Sequence, residues 1–486
     1  MRVPRPLLPL AFAGAAFVAV LWITRVPGPG LDPDAMSYLG AAESFAVSGT
    51  LRIPVGTWDS PDGTEALGHF PPGFSLALAG PVALGADPIQ TARILEAASA
   101  AAAAGMMVWM ALAVGGPAAA ALAGAILFIT PGFALDHLRV LSEPLFLAFA
   151  ALTLLLLWRA PGRPLVHGLV AAVASVVRYA GASLGGAAAL WALSRPGRVR
   201  RRLRSAALAL GPTVAVQLAW ALRTRAEAAQ VRTFGLRSGL GSTLHEGWDT
   251  LTAWLAPGVE QPVFRAVLAL AVLVLVAAVL WNAARLERTF FAATGVTAAC
   301  YAGLVLLSRL FADQRIPLDE RLLSPLFLFA TVAVAAAAGL VWRDGRPAVR
   351  STGALLLAVW LGASAWRTGV TVHEAREGGW GYAGTDWRQS DLVRWLRSEG
   401  AGYALFSDNP ADVWFATGRR SWKLPCTLAP DSVSVFAAAL RQRHGVVIGF
   451  ASPLEEMARP DSLAARLGLG ELARFEGGVV WGPARR

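Results

Sequence analysis

The sequence predicts a polytopic α-helical membrane protein of about eleven transmembrane helices, followed by a small C-terminal α/β domain. Of its 486 residues, 55% are hydrophobic and only 15% are charged, which lies outside the range of soluble globular proteins. Apolar runs close to the ~20 residues that a helix needs to cross a bilayer recur as far as Trp366. A soluble domain could bury one or two such runs but not this series, so the composition excludes a soluble protein.

The net charge of +11 does not indicate a nucleic-acid partner, because most basic residues lie in short loops between apolar runs. Membrane lipids are the partner that this distribution predicts. The two cysteines add little: Cys300 lies inside an apolar run and Cys426 in the polar tail, so we expect no disulfide between them.

The first apolar run, Leu7–Ile23, follows Arg2 and Arg5 and precedes no A-x-A-like cleavage site. We therefore expect an uncleaved first helix with a cytoplasmic N-terminus. The polar stretch after it forms an outer loop of about residues 25–90. Within that loop, Pro71–Leu84 is short and contains three prolines, which favours an interfacial or re-entrant helix over a span.

Ten further apolar runs complete the predicted set of eleven spans. They are Ala92–Val114, Ala118–Leu135, Leu145–Trp158, Leu165–Val177, Ala182–Leu193, Ala206–Leu222, Val263–Leu280, Phe290–Leu310, Leu322–Val341 and Gly353–Trp366.

The arginine distribution supports this count. With eleven spans, the arginine-rich loops are cytoplasmic, as the positive-inside rule requires, and the acidic first loop is outside. Counting Pro71–Leu84 as a span would place the Arg200–Arg204 cluster outside. The predicted domains are a transmembrane domain, residues 1–367, and an extracytoplasmic α/β domain, residues 368–486.

The C-terminal domain is predicted from short apolar segments. Strands are expected at Tyr403–Ser407, Val446–Phe450 and within Ala473–Trp481. Ser390–Arg397 and Val433–Arg443 have helical apolar spacing.

Ionisable side chains at the outer ends of predicted helices are candidate functional residues, since charge at a membrane boundary is costly without a partner or a water-filled cavity. The first group is Asp32-Pro33-Asp34, followed by Tyr38, directly after the first span. The alternative explanation is helix capping, because an N-cap aspartate satisfies free backbone N–H groups.

The second group is His69, before Pro71-Pro72-Gly73, where a proline-rich turn is the alternative. A third, Arg178-Tyr179, lies between two short spans, where an arginine could simply extend to the interface.

Two more groups open later spans. Asp136-His137-Leu138-Arg139 precedes Ser142-Glu143-Pro144. Serine before Glu-Pro is also typical of the start of a helix, so capping is the alternative explanation here. Asp319-Glu320-Arg321 opens the tenth span, and a charged membrane flank is its alternative. The convergence of all five groups on the outer face favours a functional site.

These motifs, in this order, resemble those of the GT-C superfamily of glycosyltransferases that use polyprenyl-phosphate sugars, especially protein O-mannosyltransferases and lipid A aminoarabinose transferases. The resemblance covers about residues 7–366 and extends to an outer C-terminal domain. Many relatives have tyrosine after the late arginine, where this chain has Leu322. The matching positions are Asp34 before Tyr38, the Pro71–Gly73 motif, Glu143 opening the fourth span, Arg178 and Tyr179 before Gly181, and Arg321 before Pro325.

The resemblance implies an inverting transfer on the extracytoplasmic face of the inner (plasma) membrane. Asp34, preferred over Asp32 by its spacing to Tyr38, is the expected general base. Glu143 is a second catalytic candidate that would hold the acceptor or share a divalent cation with Asp34. The sequence shows no classical metal-ligand spacing, so no metal ligand is predicted. The expected phosphate-binding arginines are Arg139, Arg178 and Arg321, and further substrate contacts are expected from Asp32, Tyr38, His69, Asp136 and Tyr179.

The function predicted from the sequence is therefore a membrane glycosyltransferase with a polyprenyl-phosphate-linked sugar donor and a lipid, glycan or protein acceptor. A transporter or flippase of lipid-linked sugars is the main alternative, since it too places ionisable groups in the membrane. A non-catalytic assembly protein that binds lipid carriers is another. Clustering of the ionisable groups at one surface, without a visible internal repeat, favours the enzyme.

Overall fold

The computed structural model describes residues 7–227, 235–236, 238–313, 315–344, 347–451 and 457–483. Arg2 and Arg5, on which the predicted cytoplasmic N-terminus rests, lie outside these residues. In chain order the α-helices are α1 (Leu7–Ile23), α2 (Pro33–Ser48), α3 (Gly73–Ala83), α4 (Pro88–Gly115), α5 (Pro117–Ile129), α6 (Pro131–His137), α7 (Glu143–Arg159), α8 (Pro164–Val177), α9 (Ala182–Ser194), α10 (Val199–Ala226), α11 (Leu240–Leu255), α12 (Pro262–Leu286), α13 (Arg288–Phe311), α14 (Glu320–Asp344), α15 (Pro347–Glu377), α16 (Thr385–Gln389), α17 (Asp391–Arg397), α18 (Pro410–Thr417), α19 (Pro430–Gln442) and α20 (Pro460–Leu467).

Eight strands accompany these helices in the described part of the chain. They are β1 (Arg52–Ile53), β2 (Val55–Gly56), β3 (Glu65–Ala66), β4 (Ala404–Ser407), β5 (Ser421–Lys423), β6 (Gly445–Phe450), β7 (Gly470–Phe475) and β8 (Gly478–Gly482).

The chain forms two compact units. The first, here called the helical unit, comprises Met1–Ile23 and Arg93–Glu374. The second comprises Thr24–Ala92 and Ala375–Arg486, and it is called the outer unit after the outer loop predicted for residues 25–90. The loop at residues 25–90 was predicted as part of the transmembrane domain, whereas in the structure the whole of it belongs to the same compact unit as the C-terminal segment.

The predicted apolar runs are helical, with one break. Six of the described helices are long and apolar enough to cross a membrane, and the bent pair α5–α6 would make seven. The others, such as α1 and α8, are shorter than eighteen residues, so the count of eleven spans remains a prediction. The run Ala118–Leu135 was predicted to be one span, but it bends by 66° between α5 and α6. Pro131 explains the break, because the residue before a proline is pushed out of helical geometry, and Thr130 is extended.

Small residues let helices of the helical unit approach closely. A Cβ atom on Gly115 of α4 would lie 2.7 Å from the Ala336 carbonyl oxygen of α14, and one on Gly339 would lie 2.5 Å from the Gly115 carbonyl oxygen. Such glycine contacts are typical of helices packed within membranes, where van der Waals contact rather than the hydrophobic effect holds them together.

The outer unit is built on a six-stranded sheet in the order β2-β5-β4-β6-β8-β7. β2, β5, β4 and β6 are parallel, whereas β8 runs antiparallel to both β6 and β7. The apolar stretch predicted as one strand within Ala473–Trp481 is therefore the β7–β8 hairpin. Alternate residues of β4 pack on opposite faces: Leu405 packs with residues of α17 and α18, and Phe406 with residues of α19 and α20.

The first loop contributes the edge strand of this sheet. Val55 of β2 pairs with Ser421 of β5. The Trp422 indole N–H donates to the Ser60 carbonyl at 2.9 Å, and Lys423 forms an ion pair with Glu65. These contacts join the first loop to the C-terminal segment.

Candidate functional site

The helical unit contains a buried carboxylate held by two arginines. Glu143 begins α7, and its side chain is only 2% exposed. Its Oε1 accepts from Arg178 Nη1 at 2.6 Å and from Arg321 Nε. Burying a charge costs several kcal/mol unless it is paired, so these contacts explain how the carboxylate is tolerated. Ser142, at the N-cap, makes no side-chain capping bond and instead donates to Glu143 Oε2 at 3.3 Å. Helix capping therefore does not explain the Ser142 side chain.

Local sequence places both arginines. Arg178 is extended between α8 and a 3₁₀ turn at Tyr179–Gly181. A Cβ atom on Gly181 would lie 2.4 Å from the Ser175 backbone nitrogen, so a glycine is needed where the turn folds back on α8. Arg321 lies in the first turn of α14, whose start is fixed because Asp319 Oδ1 accepts from the Leu322 N–H at 2.8 Å.

Further buried polar groups line the segment before α7. Asp136 is 1% exposed and hydrogen-bonded to Ser324. His137 is equally buried, and its Nδ1 bonds to the Phe133 carbonyl at 2.8 Å. Glu96 of α4 accepts from the Leu141 N–H at 3.1 Å. Sequence reasoning missed Glu96, although a carboxylate inside the apolar run of α4 was a usable signal.

The remaining predicted residues of this unit lie beside the cluster in the chain. Arg139 is half-buried between Asp136 and Ser142. The Tyr179 hydroxyl accepts from the Trp220 indole N–H at 3.0 Å, which ties the turn after Arg178 to α10.

Helix α11, which was not predicted from the sequence, holds the loop before Arg321. Glu246 of α11 forms a 2.5 Å ion pair with Arg309 and accepts from the Leu318 N–H at 2.8 Å. Thr250 of the same helix donates to the Leu318 carbonyl at 2.5 Å. α11 thereby fixes the approach to α14.

The other predicted residues lie in the outer unit. α2 starts at Pro33, with Asp32 at the N-cap and Asp34 in the first turn. The Asp32 side chain makes no capping hydrogen bond, so capping does not explain it. Both aspartates are half-buried.

The outer unit also brings two of the motifs together. Tyr38 is 1% exposed, and its ring packs against Phe70 at 4.8 Å and Phe74 at 5.0 Å. His69 is exposed and packs edge-on against Phe70. The Pro-Pro-Gly segment thus starts α3 beside α2, with Tyr38 as the packing link.

Comparison with known structures establishes the fold. Apo ArnT from Cupriavidus metallidurans matches with a TM-score of 0.60 and 15% identity over 97% of both chains. The same protein bound to undecaprenyl phosphate matches with a TM-score of 0.57 and 15% identity, over 98% of this chain and 97% of that one. The apo oligosaccharyltransferase of Archaeoglobus fulgidus matches with a TM-score of 0.51 and 12% identity, over 91% of this chain and 69% of that one.

The chain has the GT-C fold. The resemblance expected from the short motifs is thereby confirmed at the level of structure. No family model and no curated protein sequence matches the chain. At such low identity a shared fold does not carry the activity with it, so the activity of this protein has to be argued from its site.

No metal centre is evident in the part of the chain that the structure describes. Within it, no group of three or more histidine, cysteine, aspartate or glutamate side chains could hold an ion.

The outer unit carries a buried acidic pair, Asp408 and Asp412, next to the end of β4. Burial raises the pKa of Asp412 to about 7, with a further contribution from the charge of Asp408, while hydrogen bonds from Trp387 and Tyr382 oppose the rise. Burial likewise raises the pKa of Asp408 to about 6. The folded protein therefore binds these protons more tightly than the unfolded chain, in which an aspartate titrates near 3.8.

This pair predicts a pH-dependent stability. Its contribution is fully present below about pH 4 and is lost as the pH rises towards 7. We expect Asp412→Asn to flatten this dependence and to stabilise the outer unit at pH 8 by on the order of 2–4 kcal/mol. Hydrogen exchange of the β4 and β6 amides in the full chain measures the effect. Asp461→Asn, at a side chain 60% exposed, is the control, and an unchanged pH dependence in Asp412→Asn would refute the assignment.

Proposed function

We propose that this protein is an inverting membrane glycosyltransferase that moves a sugar from a polyprenyl-phosphate donor to an envelope acceptor on the extracytoplasmic face. The observation that carries the proposal is the Glu143–Arg178–Arg321 cluster in a chain with the fold of ArnT, one structure of which contains undecaprenyl phosphate. The arginine-rich loops between the helices support a cytoplasmic position for those loops and an outer position for the site.

The two arginines suit the phosphate of such a donor. Breaking the sugar–phosphate bond leaves an anion, which fixed cations stabilise as it forms. Glu143 engages Arg178 Nη1 and Arg321 Nε, and each guanidinium has five N–H donors in all. One carboxylate between two guanidinium groups leaves a net charge of +1, and the buried ion pairs hold both groups in place. Glu143 is therefore assigned to the site as the residue that orders the arginines, and Arg139 is proposed as a further phosphate contact.

The acceptor needs a base. Asp34 is assigned that role, because a carboxylate can take the proton of an acceptor hydroxyl as the sugar is attacked from the face opposite the phosphate. Its half-buried position in the first turn of α2 leaves it access to solvent. Asp32, Tyr38, His69, Asp136 and Tyr179 are proposed to shape the surrounding substrate sites, Tyr38 through its packing on Phe70 and Phe74.

Binding of undecaprenyl phosphate, the lipid phosphate that such a donor would release, tests the role of Arg321. A hydrogen bond to a charged group contributes about 1.5–3 kcal/mol, so Arg321→Ala should weaken binding of undecaprenyl phosphate by about 10- to 100-fold. Arg321→Lys should recover part of the affinity, because the charge returns but the fork geometry does not. Binding to purified protein in detergent is measured by calorimetry.

Arg315→Ala is the matched control, since Arg315 lies in the loop directly before α14 with a side chain 59% exposed. Equal affinity of wild type and Arg321→Ala would remove the arginine from the donor site.

Mass spectrometry of envelope glycans and lipid-linked sugars, with and without the protein, tests the function as a whole. Lipid-linked sugar that changes leaflet without any transfer would favour the flippase instead.

A further inference from the structure

We propose that the turn at residues 378–385 positions the segment from Leu31 to Asp34, here called the catalytic loop, and that Gly381 is the residue on which this positioning depends. The inference rests on the proposed function, because it takes Asp34 as the base. It gives the C-terminal segment a part in the reaction.

The turn pairs with the residue just before the candidate aspartates. Leu31 and Gly381 form a parallel bridge. The Leu31 N–H donates to the Trp380 carbonyl at 3.3 Å, and the Tyr382 N–H donates to the Leu31 carbonyl at 2.9 Å. Leu31 is 2% exposed. Since Asp34 is only three residues further on, in the first turn of α2, this pairing fixes where that helix begins.

Gly381 leaves no space for a side chain. Its φ is +58°, a backbone conformation that favours glycine. A Cβ atom there would lie 2.1 Å from the Leu31 carbonyl oxygen and 3.3 Å from Asp32 Oδ1. The obstacle at Leu31 is backbone, so it cannot turn aside as a side chain would. Any side chain at position 381 must displace the segment that leads to Asp34.

The turn is itself rigidly held. The Thr385 N–H donates to the Gly378 carbonyl at 2.8 Å, and the Gly384 N–H donates to the Gly381 carbonyl at 2.9 Å. On the side of the sheet, the Tyr382 ring stacks on Phe415 of α18 with centroids 4.6 Å apart. The Tyr382 hydroxyl is hydrogen-bonded to Asn409 and Asp412.

A continuous series of contacts therefore runs from the sheet to the catalytic loop. Asp408, directly after β4, accepts from the Phe450 N–H at the end of β6 at 3.0 Å. Asp412 of α18 accepts from the Trp387 indole N–H at 3.0 Å, and Trp387 packs edge-on against Tyr382. The sheet thus anchors α18, α18 anchors the turn, and the turn anchors Leu31.

A pair of glycine substitutions tests the proposal in the full-length protein. Gly381→Ala introduces the clash with Leu31. Gly418→Ala is the matched control, because Gly418 has a similar φ of +68° and the described part of the chain leaves open space for 4 Å around the place that its Cβ would take. The two variants share the backbone strain and differ in the contact. Amide hydrogen exchange at Leu31 and Tyr382 is measured in both, together with kcat, KM and the affinity for undecaprenyl phosphate.

We expect exchange at both amides to rise at least about tenfold in Gly381→Ala alone. We also expect kcat to fall by about 10- to 100-fold, the effect of misplacing a reacting group by about 1 Å. The affinity for undecaprenyl phosphate should not change, because the arginines are in the other unit. A merely structural role would lower all activities in proportion to the folded fraction.

Unchanged exchange in Gly381→Ala would overturn the proposal, and so would faster exchange with an unchanged kcat. Should that variant fail to accumulate, Tyr382→Phe keeps the ring and removes the hydroxyl bonds to Asn409 and Asp412. It should lower kcat at least about fivefold, the effect of losing even one hydrogen bond, and an unchanged kcat would count against the proposal. If the wild type transfers no sugar while exchange responds as expected, the proposed function has failed and the anchoring of Leu31 has not.

Discussion

Asp34→Asn is expected to lower the rate of sugar transfer by about 10²–10⁴-fold, the range for loss of a general base. Asparagine keeps the size of aspartate but cannot take a proton. Asp34 lies in the first turn of α2, where losing the negative charge costs the helix about 0.3–1 kcal/mol. The fold should therefore survive, and thermal stability measured on the same preparation separates a catalytic loss from a structural one.

Asp32→Asn is the internal control for this experiment. Asp32 occupies the N-cap without a side-chain capping bond, and asparagine is about as favourable there as aspartate. This variant should keep most of the activity. If the two variants exchange behaviours, Asp32 is the base and the site stands; if both remain fully active, the catalytic role of this loop is refuted.

Glu143→Gln is expected to destabilise the helical unit by about 3–5 kcal/mol, the cost of removing one partner from a buried ion pair. The glutamine would leave Arg178 and Arg321 without the carboxylate that compensates both, at a position only 2% exposed. Chemical unfolding in detergent measures the change.

Glu65→Gln provides the matched comparison. Glu65 is paired with Lys423, but their side chains are 32% and 29% exposed, and solvent-exposed pairs contribute about 0–1 kcal/mol. Equal effects of the two substitutions would show that the Glu143 cluster does not depend on burial, and the assignment of Glu143 as the residue that orders the arginines would have to be withdrawn.

The sequence by itself determined the apolar helices, because apolar runs of helical length are a local property, whereas the amphipathic helix α11 was not predicted. α1 has the predicted bounds, Leu7–Ile23, and the proline-rich run Pro71–Leu84 contains the short helix α3. The candidate residues could also be named, since ionisable groups at the ends of apolar runs stand out in composition. The break at Pro131 was equally local, and it could have been read from the restriction that proline places on the preceding residue.

Only the tertiary structure decided which of these residues meet. Arg321 contacts Glu143 across 178 positions of sequence, and no spacing rule predicts a contact of that range. The edge strand β2 has two residues, too few to show an alternating pattern, and its partner β5 lies more than 360 positions away. The pairing of Leu31 with Gly381 likewise cannot be predicted from either segment alone. Position 381 requires a glycine because the Leu31 carbonyl packs against it, and that carbonyl comes from a distant part of the chain. Local propensity determined the apolar helices. Long-range packing determined the Glu143–Arg178–Arg321 cluster, because a charge is buried only where the fold supplies a partner for it.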